Sequence, residues 1–142
     1  MSKIKVLLVE DSPVAINIYE KMLNSSRHVE VVGKASNGKE GLDLTSQINP
    51  DVICTDLQMP TMDGIEFTRQ IMANYPTPIL VLSNSVQKTD VDKIYEAMKA
   101  GAVDVMAKPQ TALGNNSESM QKELITKIRV VSAKQVSSIP LP

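Results

Sequence analysis

Five residues of this chain have the types and the placement to do chemistry together: Glu10, Asp11, Asp56, Ser83 and Lys108. Each closes or follows a short apolar run. Ile4–Val9 precedes the first two, Val52–Thr55 precedes Asp56, Ile79–Leu82 precedes Ser83, and Ala102–Ala107 precedes Lys108. Singly, each has an ordinary explanation. Glu10 and Asp11 complement the positive end of a following helix, Asp56 caps a turn, and Ser83 and Lys108 are solvated loop residues. Brought to one place, they imply more. Three neighbouring carboxylates repel and persist only with a compensating cation. Carboxylate oxygens select a hard divalent ion, and a half-protein shell with room for water and phosphate oxygens suits Mg²⁺. With that ion and the Lys108 ammonium neutralising an incoming phosphoryl group, Asp56 is placed to attack it and form an aspartyl phosphate. Ser83 would donate a hydrogen bond to one phosphoryl oxygen.

Convergence depends on the elements that carry these residues. Ile4–Val9, Val29–Ala35, Val52–Thr55, Ile79–Leu82 and Ala102–Ala107 are apolar enough to be strands with no wet face. Helical stretches separate them. Ser12-Pro13 opens the first, with serine as N-cap and proline at the first turn, and Val14, Ile18 and Met22 are its expected core stripe. Ser36-Asn37-Gly38 leads into the second, which Asn49-Pro50 stops near Ile48. The third runs from Ile65 to Asn74. Thr89 is the expected cap of the fourth, with Val91, Ile94, Tyr95 and Met98 at helical spacing and Gly101 as its stop. Asn115 to Ser119 reads as loop and cap before a last helix striped by Met120, Leu124, Ile128 and Val131. Five alternations of strand and helix call for an α/β domain with a parallel sheet covered on both sides. In such a sheet all five candidate residues come out at the carboxyl edge, where open α/β sheets hold their ligands.

Composition sets the bounds. The 142 residues suffice for one domain with a real core. A net charge of −1 gives no electrostatic reason to expect nucleic acid or an anionic membrane. Cys54, the single cysteine, reads as a small core residue in a reducing compartment, and a cytoplasmic location is the expectation. Residues 132–142 contain two prolines and no periodicity. They read as a linker-like tail, a tether outside a domain of residues 1–131.

The Glu10-Asp11 pair, Asp56 with Met59-Pro60 and Met62-Asp63-Gly64, Ser83, and Gly101-Ala102 leading to Lys108-Pro109 resemble the response-regulator receiver domain of two-component signalling. The resemblance covers roughly residues 3–131. It implies a flavodoxin-like doubly wound domain of strand order 2-1-3-4-5 with five helices. It also implies that Asp56 accepts a phosphoryl group from a histidine kinase, and that Glu10, Asp11, Asp56 and the backbone carbonyl of Gln58 hold Mg²⁺. An effector domain or protein would read the face made by helix 89–100, strand five and the last helix. Phe67–Met72, Pro76–Ser83 and Gly101–Asp104 through Lys108-Pro109-Gln110 look most like the receiver half of a chemotaxis protein-glutamate methylesterase. No Gly-x-Ser-x-Gly occurs to suggest the esterase half, and His28, the only histidine, sits where a strand begins.

Two positions depart from the family pattern. Val105 stands where an aromatic is usual, and Asn84 where a small residue follows the strand-four hydroxyl. A β-branched side chain cannot swing as a ring does. Signalling should therefore act through the segment after Ser83 and the start of helix 89–100 more than through strand five. Other readings are weaker. An aspartyl-nucleophile phosphatase wants a second carboxylate two residues past the nucleophile, where this chain has Gln58. A flavin or nucleotide module wants a Gly/Ser/Thr-rich loop after strand one, where this chain has Glu10-Asp11-Ser12-Pro13. A degenerate receiver that binds partners without phosphorylation sits poorly with an intact acidic set.

Overall fold

A computed structural model describes residues 2–84, 88–109 and 117–142. Five parallel strands, β1 (Ile4–Val9), β2 (Val29–Ala35), β3 (Val52–Thr55), β4 (Ile79–Ser83) and β5 (Asp104–Ala107), form one sheet in the order β2-β1-β3-β4-β5. The helices are α1 (Pro13–Asn24), α2 (Gly38–Ile48), α3 (Gly64–Asn74), α4 (Lys88–Ala100) and α5 (Ser117–Ser132). The central strands β3 and β4, with β1 from Val6 on, are buried because both faces are covered, whereas the edge strands β2 and β5 are part-exposed and carry Glu30, Lys34 and Asp104. Along β1, Leu7 and Val9 pack with Ile53, Phe67, Ile71 and Val81 on one side. Val6 and Leu8 pack with Tyr19, Leu23, Leu124 and Ile128 on the other. This is the period of two that sends alternate side chains to opposite faces. Cys54 lies in the second layer, and burial pushes its thiol up to about 12.

The helix starts follow the local chemistry. Ser12 Oγ accepts the Ala15 N–H at 3.2 Å, Asn37 Oδ1 the Glu40 N–H at 2.9 Å, and Asp63 Oδ1 the Glu66 N–H at 2.9 Å. Glu40 reaches back to the Ser36 N–H at 2.9 Å, which completes a reciprocal cap around α2. Gly101 ends α4 with φ +122, a conformation only glycine adopts without strain.

Some expectations need correction. The α1 core stripe centres on Tyr19 and Leu23; Ile18 and Met22 pack beside them partly buried, as expected, while Val14 is 69% exposed. In α4, Ala97 and Ala100 are buried, and Val91, Tyr95 and Met98 lie on the exposed side. Lys88 already belongs to α4, so Thr89 is inside the helix and not its cap; the preceding residues 85–87 lie outside the described ones. Ser117 opens α5, so 117–119 are helical, and the expected loop at 115–116 lies outside the described residues. After α5 the chain forms no further helix or strand, yet it departs from the free tether expected. Val136 packs on the first core layer and the Ile139 N–H donates to Met72 O at 3.0 Å. Among the described residues no helix is long and apolar enough to cross a membrane.

Candidate functional site

Backbone hydrogen bonds continue past the strand ends and fix the candidate residues at one edge. Glu10 N donates to Ala35 O at 2.9 Å, Asp56 N to Val9 O at 3.0 Å, and Lys108 N to Ser83 O at 2.8 Å. Each residue is thereby clamped to the end of a neighbouring strand. The chain then leaves Asp56 sharply. Gly64 N donates to Leu57 O at 2.7 Å, and a Cβ on Gly64 would sit 2.1 Å from Asp56 O. No other residue fits there while the β3–α3 loop keeps this path.

Lys108 Nζ reaches across the edge to two carboxylates. It lies 2.9 Å from Asp56 Oδ2, where it donates a hydrogen bond, and 3.0 Å from Glu10 Oε1. Asp56 is only 9% exposed and its Oδ1 accepts the Leu57 N–H at 2.7 Å. Glu10 Oε2 accepts the Ser12 N–H at 3.0 Å, while buried Oε1 is ion-paired to Lys108 but meets no donor in hydrogen-bond geometry. Asp11 is exposed beside them, and one carboxylate oxygen from each of Glu10, Asp11 and Asp56 lies within 4.8 Å of the others.

The electrostatics follow from crowding. Burial raises the Glu10 carboxyl above its ordinary 4.5, and the Asp56 charge adds to that; the Ser12 N–H and Lys108 oppose it. For Lys108, burial alone would lower the ammonium. The hydrogen bond and charge of Asp56, with the nearby charge of Glu10, outweigh it and hold the group above 10.5. One fixed ammonium thus serves two buried carboxylates, with the third at the rim. A hard cation fits this donor set: all three ligand groups are carboxylates, and Glu10 offers a buried oxygen with unspent acceptor capacity.

Ser83 ends β4, buried, in register with Ala107 of β5, one residue before Lys108. Gln58 lies in the loop two residues past Asp56 with its side chain exposed. The five residues singled out by type therefore gather at one edge, with Gln58 on the adjoining loop. Two contributors escaped a reading by residue type. The Leu57 N–H is a backbone group and leaves no trace in the side-chain alphabet. Gly64 reads as turn chemistry after Asp63, and its close approach to Asp56 shows only in three dimensions.

Against known proteins, residues 6–114 match the family of the response regulator receiver domain. This chain belongs to that family. As a receiver domain of two-component signalling it is similar to the solved response regulator domain of Thermotoga maritima CheB. The TM-score is 0.81 at 31% identity, over 94% of this chain and 99% of that one. Among curated relatives, the protein-glutamate methylesterase/protein-glutamine glutaminase of Sulfurimonas denitrificans is 37% identical over 135 residues, 95% of this chain. The Methanococcus maripaludis protein of the same name is 40% identical over 136 residues, 96% of this chain. The receiver spans only 38% and 37% of those relatives' lengths. It is a receiver of the CheB type, and the match covers the receiver part of the longer proteins.

Proposed function

We propose that this receiver accepts a phosphoryl group on Asp56 from the phosphohistidine of a histidine kinase and passes the change to an effector domain or protein. The observation that carries the reading is the Lys108 ammonium held between Asp56 Oδ2 and Glu10 Oε1 at an edge where three carboxylates meet. An Asp56 carboxylate oxygen forms the new bond to phosphorus as the phosphorus–nitrogen bond to the donor imidazole breaks. Lys108, already hydrogen-bonded to Asp56, is placed to follow the added negative charge. Ser83 donates to a phosphoryl oxygen from the end of β4. Glu10, Asp11, Asp56 and the Gln58 carbonyl would hold Mg²⁺, which when bound neutralises charge on the transferring group.

The reading assigns a regulatory role in the cytoplasm, with no ester hydrolysis by this segment and with neither nucleic acid nor membrane as partner. Its output face is α4, β5 and α5, where Val91, Tyr95, Met98 and Val130 are exposed. The test is phosphoryl uptake from acetyl phosphate, followed by intact mass with Mg²⁺ and with excess chelator. Uptake should require the metal. Uptake undiminished in chelator would contradict the role given to the carboxylate cluster.

A further inference from the structure

The C-terminal segment meets the body at one defined place. The last carbonyls of any helix lack intrahelical partners. In α3 the Ile71 carbonyl is taken by the Tyr75 N–H, and the next two are taken by the tail. Met72 O accepts the Ile139 N–H at 3.0 Å, and Ala73 O accepts the Ser138 hydroxyl at 3.4 Å. The side chains engage the end of α4 as well. A Cβ at Gly101 would lie 3.0 Å from Ile139 Cδ1 and 2.7 Å from Met72 Cγ, so Ile139 sits close against the turn that ends α4. Val136 packs on the core layer that holds Ile71, Met72, Ala97 and Ala102. Farther on, Ile139 to Pro142 wall a cleft of about 520 Å³ whose other side is Arg69 of α3 with Glu96 and Lys99 of α4. The seat is light: Ile139 remains 41% exposed. A segment held by few buried contacts and a few hydrogen bonds belongs to the low-stability end of a fold, where release is easy.

We propose that the C-terminal ends of α3 and α4 form a docking site for an extended peptide, that its occupant is this chain's own Val136–Leu141, and that its hold on the strap depends on α4. The seat is shared between two helices, so any displacement of α4 relative to α3 alters it. α4 follows β4 and Ser83, and its far end carries Gly101 and the strap. With α3, whose first residue abuts Asp56, it joins the carboxyl edge of the sheet to the tail. The coupling rests on Asp56 being a phosphoacceptor; the docking does not. By linkage, whatever shifts α4 changes the strap's occupancy, and holding the strap down biases α4 in return.

Amide hydrogen exchange of the whole chain separates these statements. In the free protein the Ile139 amide should exchange roughly tenfold more slowly than the same amide in Ile139→Asp. That variant changes a partly exposed side chain and should keep the wild-type fold by circular dichroism. On loading with Mg²⁺ and beryllofluoride, protection at Ile139 should change severalfold along with the α4 amides. Equal exchange at position 139 in wild type and Ile139→Asp would overturn the docking. Unchanged protection at 139 while α4 amides respond would overturn the coupling and leave the phosphoacceptor reading intact. If acetyl phosphate adds no mass and no α4 amide responds, that reading fails and the coupling with it, while the free-protein comparison still decides the docking.

Discussion

Glu10 is a residue whose ionised form is set at a disadvantage by burial. Its carboxyl is buried beside Asp56 and shares one ammonium with it. Because burial raises its titration above 4.5, the folded chain binds this proton more tightly than the unfolded chain does. The stability it contributes is therefore present below 4.5 and is lost as pH rises through the raised value. A bound divalent cation reverses that balance, since it needs the ionised form. Mg²⁺ should raise the melting temperature at neutral pH, and the gain should shrink as pH falls toward the Glu10 titration. Glu10→Gln should flatten the pH dependence and reduce the gain. Melting curves with and without Mg²⁺ across that window check this; a Mg²⁺ effect identical at every pH in both proteins would contradict it.

At the scale of elements, α1 shows what the sequence carries and what it hides. Its start was legible because Ser12-Pro13 has one local meaning, and the structure repeats it in the Ser12 cap. Its phase was legible only in part. Ile18 and Met22 do pack, partly buried, on the second core layer, but the stripe centres on the neighbouring Tyr19 and Leu23 and leaves Val14 outside, and the apolar identities do not choose between the two. The sheet chooses, by placing Leu8, Cys54 and Leu82 where Tyr19 can pack. Tyr19→Ala should cost on the order of 3 kcal/mol, as for other buried aromatics, and Val14→Ala no more than about 0.5 kcal/mol. Urea unfolding of both variants decides it; similar losses would mean that α1 is turned otherwise. The same ambiguity explains α4, where small alanines at 97 and 100 face the core and the larger Val91, Tyr95 and Met98 do not. A helix packed mainly through small residues, with Ile94 beside them, leaves its other bulky side chains exposed. Strands posed no such problem, because β1, β3 and β4 are buried on both faces and no phase needed to be chosen.

For the molecule as a whole, the sheet edge that gathers the site was legible from strand ends alone, while the docked tail was not. Ile139-Pro140-Leu141-Pro142 carries no helical or strand period, and its partners are backbone carbonyls of α3, which have no sequence signature. Val105 pairs with Val81 and packs partly buried on the first core layer. It lacks the ring that could exchange between two positions, so signal transmission should fall on α4. Chemical shifts on adding Mg²⁺ and beryllofluoride should change more along the α4 backbone than at Val105 and its β5 neighbours; the reverse order would place the switch in β5. That transmission depends on Asp56 taking the phosphoryl group, and borohydride trapping tests that most directly. After incubation with acetyl phosphate and Mg²⁺, borohydride should reduce an acyl phosphate at position 56 to the alcohol, homoserine, which peptide mass spectrometry locates. The wild-type chain should yield that product in the peptide spanning Val52–Met62, and Asp56→Asn should yield none there; phosphoryl uptake with no reduction at position 56, or equal uptake by Asp56→Asn, would contradict the assignment.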